Sequence, residues 1–234
     1  MRPVARVRTG LPDKFALPRQ SGRVEELKGL IVFEPPFRDR NALKGLEGFS
    51  HVWVLWVFDR AQRDKWSPTV RPPRLGGNER VGVFASRSPF RPNSLGLSCV
   101  RLLRVEREAA LGPVLVVGGA DLMDGTPIFD IKPYVPYADC RPEALSGFAP
   151  DPGRTLAVRF LPGEEEKIPA DKRAALRGVL ANDPRPRYQN DPERVYGLRF
   201  AERNIRFRVE GETLSVTAVE GPENKETKER RECE

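Results

Sequence analysis

Three short stretches hold most of the side chains in this 234-residue chain that can do chemistry. Residues 17–20 read LPRQ, residues 85–93 read ASRSPFRPN, and residues 121–134 read DLMDGTPIFDIKPY. In the first, a proline is followed by a guanidinium and an amide, Arg19 and Gln20. In the second, Arg87 and Arg91 bracket Pro89 and Phe90, and Pro92 and Asn93 follow. In the third, the turn Asp124, Gly125, Thr126, Pro127 offers a carboxylate, N–H groups and carbonyls together. Prolines fix the backbone, so less entropy is lost when the polar side chains between them take hold of something. Each stretch also reads acceptably as an ordinary surface or structural loop. Together they are rich in Arg, Asn, Asp and Gln, poor in Lys, and placed at strand ends, where rigid polar loops form ligand sites. The chemistry they suit is the gripping and aiming of a charged ligand.

What the chain lacks narrows the reading further. His51 is the only histidine, so a Ser-His-Asp triad or a histidine-ligated metal must run through it. Its place beside an apolar run suits a core or interface histidine better than a hydrolase base. The three cysteines, Cys99, Cys140 and Cys233, form neither a Cys-x-x-Cys pair nor a disulfide framework, and no metal is expected. EPPF at 34–37, GLEG at 45–48 and LGGNERVG at 75–82 lack the context of cofactor or RNA clamps and read as turns. Trp53 and Trp56 read as core, and the acidic run 164–166 as a solvated loop. No apolar run approaches the roughly 20 residues of a membrane span, and the N-terminus does not resemble a signal peptide; a soluble, cytoplasmic protein is expected. The formal net charge is +7 and the pI about 9.6. The excess is concentrated. Between Arg80 and Val105 there are arginines but no Asp or Glu, and Lys65, Arg71 and Arg74 precede them. A polyanion such as nucleic acid is the partner this distribution suits.

The elements that must position these loops are mostly short strands. Alternation or apolar runs predict strands near residues 2–10, 28–33, 52–58, 80–86 and 94–107, with two more around an irregular corner at 118–126. The run 52–58 is wholly apolar and is expected to be covered on both faces. Residues 66–77 read as a long extended loop, its prolines forbidding helix. Long helices alternating with strands are missing, so a doubly wound sheet is not expected. The fold class is mainly β: a β-barrel over 1–140, a linker over 141–154, a smaller α+β domain over 155–220, and a charged tail expected to be disordered over 221–234. In the second domain a helix follows Pro169, with apolar positions at 175, 176, 179 and 180, and three strands form a meander.

The segments FALPRQSG, LKGLEGFSHVWVLWVFD, PTVRPPRLGGN, GVFASRSPFRPNSLGLS and DLMDGTPIFDIKPY, in that order, resemble the TsaA-like or TrmO (YaeB) family. The likeness spans the first 137 residues, and LANDPRPRYQND and VYGLRF resemble the second domain of its bacterial members. The resemblance implies a β-barrel tRNA methyltransferase that uses S-adenosylmethionine. It would act on the exocyclic amine of the threonylcarbamoyl-modified adenosine beside the anticodon. It also implies a homodimer with the cofactor near the subunit interface. Carried over residue by residue, cofactor contacts would come from Pro18, Arg19, Gln20, Asp59, Arg60, Arg87, Leu97, Asp124, Gly125, Thr126 and Pro127. Asp59 and Arg60 stand where some relatives carry His-Gln.

The chemistry of such a transfer assigns further roles. An adenine amine is a weak nucleophile, so alignment with the methyl donor is the main task. Asn93, whose amide carbonyl can accept from the amine, and Asp124 are the expected catalytic residues. A sulfonium wants carboxylates or aromatic faces, here Asp124 and Phe90; the donor's carboxylate wants Arg19 or Arg87. Arg71, Arg74, Arg91, Arg185, Arg187 and Tyr188 are the expected RNA contacts in the anticodon loop. The rival reading is a non-catalytic RNA-binding barrel module, which would ignore the cofactor.

Overall fold

The computed structural model describes residues 2–61, 65–150, 153–185 and 191–221. The first strand, β1 (Ala5–Arg8), shows in miniature how the wall is built. Its sequence ARVR alternates, and so does its burial, Ala5 and Val7 inward, Arg6 and Arg8 outward. It is followed by β2 (Lys28–Phe33), β3 (His51–Val57), a two-residue pair β4 (Thr69–Val70) and β5 (Val81–Gly82), the long β6 (Leu95–Glu108), β7 (Gly112–Gly118) and β8 (Pro127–Pro133). Six of these pair in the closed order β1-β2-β7-β6-β3-β8, a barrel without a free edge between its members. Ala5, Val7, Ile31, Val54, Leu115 and Ile128 meet inside it with no measurable exposure. At roughly 25 cal/mol per Å² of apolar surface removed from water, this cluster is the wall's main stabilisation.

Two expectations need correction. The residues from Arg80 to Ser86 do not continue as a wall strand. Only Val81 and Gly82 are extended, paired with Val70 and Thr69 in a separate ribbon, and the chain then turns through a 3-10 helix, Val83–Ala85. The extended loop expected at 66–77 thus contains one strand of that ribbon and a 3-10 turn, Pro73–Leu75. The apolar β3 is also not covered on both faces within the chain: Val52, Val54 and Trp56 are buried, while His51, Trp53, Leu55 and Val57 are only half-buried. A barrel wall has one inner face, so an apolar outer face needs another explanation.

After a short helix α1 (Pro136–Asp139), the second lobe comprises β9 (Ala157–Phe160), α2 (Ala170–Ala181), β10 (Tyr196–Phe200), β11 (Arg203–Glu210) and β12 (Thr213–Glu220). Strands β10, β11 and β12 form the meander the sequence predicts, and β9 joins it parallel to β12. On α2 the apolar spacing places Ala175, Leu176, Val179 and Leu180 in the core. That core also holds Leu11, Ala16, Val24 and Leu27 from the segment linking β1 to β2. This segment leaves the barrel, packs into the second lobe and returns. Arg23 fastens it there, Nε and Nη2 both donating to Asn182 Oδ1.

Candidate active site

The serine-, arginine- and proline-rich stretch between β5 and β6 is a self-bonded loop. Ser86 Oγ donates to Val83 O at 2.8 Å, and Phe90 N–H donates to Ser88 Oγ at 3.2 Å. Leu95 N–H closes the stretch on Asn93 O at 2.7 Å. The two arginines therefore play different parts. Arg91 is half-buried and folds back, Nη1 donating to Ser86 O at 3.1 Å. Arg87 is exposed and reaches out of the loop, its Nη1 donating to Gln20 Oε1. That contact joins two of the three chemistry-bearing stretches, 67 positions apart in the chain.

The turn of the third stretch is held by β1 and Arg60. The turn 124–127 is sewn to β1: Gly125 N–H donates to Val7 O at 2.8 Å, and Arg6 Nη1 donates to Gly125 O at 3.0 Å. Gly125, at φ +80°, adopts the left-handed conformation such a tight turn requires. Asp124 Oδ1 accepts from Thr9 N–H at 2.9 Å, and Thr126 is a buried polar residue. Arg60 Nη1 and Nη2 donate to Pro12 O and Asp124 O, each at 3.2 Å. Arg60, Asp124, Gly10 and Pro12 of the barrel side meet Arg199 and Glu202 of the second lobe around a cleft of about 310 Å³. A larger groove of about 410 Å³ lies along the outer wall, lined by Arg8, Lys28, Arg104 and Lys172 among others, and contains none of the predicted site residues.

Between these two contacts lies a carboxylate the sequence reading passed over. Asp121 Oδ1 accepts from Ser98 Oγ at 2.6 Å, and Ser98 Oγ accepts from Trp56 Nε1 at 2.9 Å. Burial pushes the Asp121 carboxyl above the ordinary range, against the pull of Ser98, of its own and the Ser21 backbone N–H groups, and of the Arg87 charge. A signal was available. On β6 the residues alternate, and Ser98 occupies an inward position, two before Val100. A buried hydroxyl there demands a partner. Gly96 belongs to the same device. It faces Trp56 across the strand pair, and a Cβ there would sit 2.3 Å from the indole Cε2.

The other predicted residues are placed as follows. Pro18 is buried and Arg19 exposed, with Arg19 Nη2 donating to Arg185 O at 3.2 Å. Asp59 is exposed at the end of β3, its N–H donating to Val57 O. Pro127 is buried and opens β8, paired with Arg6. Leu97 projects outward from β6, 56% exposed. Asn93 is exposed, and no hydrogen bond of its side chain joins it to the other site residues. Arg71 is exposed and Arg74 half-buried, on the segment after β4. Arg185 does not offer a free guanidinium: Nε and Nη2 both hold Asp183 at 2.9 Å, and only 10% of the side chain is exposed. Arg187 and Tyr188 lie outside the described residues. His51 Nδ1 pairs with Ser50 Oγ at 2.9 Å, with the Tyr134 ring edge-on nearby. Among the described residues there is no cluster of metal-ligating side chains, and no helix is long and apolar enough to cross a membrane.

Comparison with known proteins bears on this arrangement. Two family models match: the tRNA-methyltransferase O N-terminal domain over residues 6–140 and the TrmO C-terminal domain over residues 154–222. The tRNA (adenine(37)-N6)-methyltransferase of Escherichia coli (strain K12) is 41% identical over 225 residues, covering 92% of this chain and 94% of its own. A Pseudomonas aeruginosa protein that carries the name of an S-adenosylmethionine-dependent methyltransferase, RcsF, is 41% identical over 215 residues, covering 88% of this chain and 90% of its own. The crystal structure of TrmO from Pseudomonas aeruginosa superposes with a TM-score of 0.78 at 33% identity, covering 94% of this chain and 97% of that one. Matched over both lobes and at nearly full length, the chain belongs to the tRNA-methyltransferase O family.

Proposed function

We propose that this protein is an S-adenosylmethionine-dependent tRNA methyltransferase acting on the exocyclic amine of the threonylcarbamoyl-adenosine next to the anticodon. The observation that carries this reading is the Arg87–Gln20 contact, which brings two of the loops singled out for cofactor binding together at one end of the barrel. The residues present suit the cofactor. Arg87 spends one donor on Gln20 and keeps others for a carboxylate. Asp124 gives Oδ1 to Thr9 and keeps Oδ2 for a cation. Phe90 and Leu97 present part-exposed apolar surface beside them. Pro18, Arg19, Asp59, Arg60, Gly125, Thr126 and Pro127 complete the site through backbone and side-chain groups. When bound, S-adenosylmethionine supplies a methyl group made electrophilic by its sulfonium.

The protein's own task is then alignment. Asn93 accepts a hydrogen bond from the adenine amine and turns it toward the donor. No strong base is required, since the proton can leave to water after transfer; one histidine, already paired with Ser50, is compatible with that. For the RNA, Arg71 and Arg74 flank exposed rings of Trp66 and Phe84, 52% and 74% exposed with centroids 6.4 Å apart, a surface on which unstacked bases can lie. Arg91 and Arg185 serve this surface by shaping their loops rather than by presenting free cations.

The proposal includes a homodimer with the cofactor near its interface, and the outer wall supports it. Leu95 and Leu97, 43% and 56% exposed, stand opposite Val57 and Leu55 on the outward faces of β6 and β3. An apolar outer wall of this kind suits a second copy of the chain. The test is incubation with tRNA bearing threonylcarbamoyl-adenosine and methyl-labelled cofactor, followed by nucleoside analysis. Label on the adenine N6 is expected; a protein that binds tRNA and transfers no label is the non-catalytic module instead.

A further inference from the structure

Among the described residues, Asp121 is the one carboxylate drawn into the interior near the site that the functional reading leaves without a role. Its surroundings are built, not incidental. The segment 20–22 lies directly on the segment 119–121. Gly22 N–H donates to Gly119 O at 2.9 Å, and Gly119 N–H donates to Leu27 O at 3.0 Å. The approach is so close that a Cβ on Gly119, at φ +73°, would stand 3.0 Å from Gly22 Cα. Into this seam Asp121 turns its carboxylate. Ser98 Oγ donates to it from β6, and the Ser21 N–H faces it from the segment that carries Gln20. Trp56 Nε1 orients Ser98 from β3. The charged group facing Asp121 is Arg87, the same guanidinium that Gln20 accepts from. One carboxylate thus holds the residue next to Gln20, through the Ser21 N–H, and faces Arg87 through its charge.

We propose that Asp121 is a positioning residue for the cofactor site, fixing the Gln20 segment and aiming Arg87, with Trp56 and Ser98 as its supports. The proposal rests on the Gln20–Arg87 loops being that site. Burying a carboxylate has a cost that an ordinary structural contact does not require. Burial raises its pKa, so any stability it contributes falls away as pH rises and the group ionises. What that cost holds together is the Ser98 hydroxyl, the Ser21 segment and the Arg87 side of the site.

The test compares Asp121→Asn, Ser98→Ala and Arg87→Ala in the full chain by thermal denaturation, calorimetric titration with S-adenosylhomocysteine, and methyl-transfer kinetics. Asp121→Asn keeps the shape and removes the charge. It is expected to melt at or above the wild-type temperature at neutral pH and yet bind S-adenosylhomocysteine about tenfold or more weakly. Its KM for the cofactor should rise while that for tRNA stays put. A merely structural role would lower the melting temperature and leave the affinity of the folded fraction unchanged; that outcome overturns the proposal. Should Asp121→Asn fail to fold, Ser98→Ala, which keeps the carboxylate but removes its hydroxyl donor, is expected to weaken the same binding about threefold; undiminished affinity there also overturns it. Arg87→Ala separates the two levels. If it loses S-adenosylhomocysteine binding while both other variants keep it, the site stands and the role of Asp121 falls. If all three bind normally, the site itself is elsewhere.

Discussion

At the residue scale, the two arginines of the 85–93 stretch show how far identity alone carries an argument. Both were legible as guanidiniums stiffened by prolines, but only partner geometry separates the reaching Arg87 from the inward-folding Arg91. Arg91→Lys should therefore perturb the loop, lowering the melting temperature by a few degrees, because a bond to Ser86 O is lost. Asn93→Ala should leave cofactor affinity intact and lower kcat by about 10- to 100-fold, since its role is to orient the amine. Loss of cofactor binding in that variant would contradict the role. Asp121, Ser98 and Trp56 all stand in the quoted segments, but nothing in their spacing pairs them. Their connection is a tertiary fact: β3, β6 and the segment between β7 and β8 meet only once the barrel has formed.

At the element scale, period-2 alternation located β1, apolar content located β2 and β6, and the apolar positions of α2 were readable in full. The stretch 80–86 misled because Val and Phe suit a strand, while the chain bends into the 3-10 turn Val83–Ala85 and strand pairing ends after two residues. The outward apolar face of β3 and β6 likewise has meaning only for the assembled wall. Leu97→Asp is expected to shift the protein toward monomer in light scattering and to weaken cofactor binding; an unchanged dimer would remove the outer wall as the interface. Gly96→Ala should cost about 1–3 kcal/mol of stability, because the added methyl meets the Trp56 indole and forces the wall apart.

At the scale of the molecule, the sequence suggests two consecutive units, while packing ties residues 11–27 into the second core. The pattern of a loop returning to its own strand gives no hint of this. Removing the second lobe should therefore expose Leu11, Ala16, Val24 and Leu27 and destabilise the barrel loops they anchor. The lobe also has its own pH response. Glu164 is held below the usual carboxylate range by Lys167 and the Val219 N–H, and Glu165 by Arg177. Such lowered groups add stability above their ordinary titration range, and that stability is lost as pH falls through their folded values. Asp121 has the opposite sign, its contribution fading as pH rises. Melting temperature against pH should thus fall on the acid side in wild type and in Asp121→Asn alike, and the variant should lack the loss that Asp121 ionisation brings as pH rises. Concentrated arginines predict tRNA affinity that drops steeply with salt, measurable by filter binding at two ionic strengths.

The measurement that bears most directly on the whole account is the rate of methyl transfer to threonylcarbamoylated tRNA by wild type and Arg87→Ala, at limiting and at saturating S-adenosylmethionine. The loops at the barrel end are held to grip the cofactor through Arg87. The variant should therefore be slower by tenfold or more at limiting cofactor and recover most of the difference at saturation. Equal rates for the two proteins at limiting cofactor would contradict it.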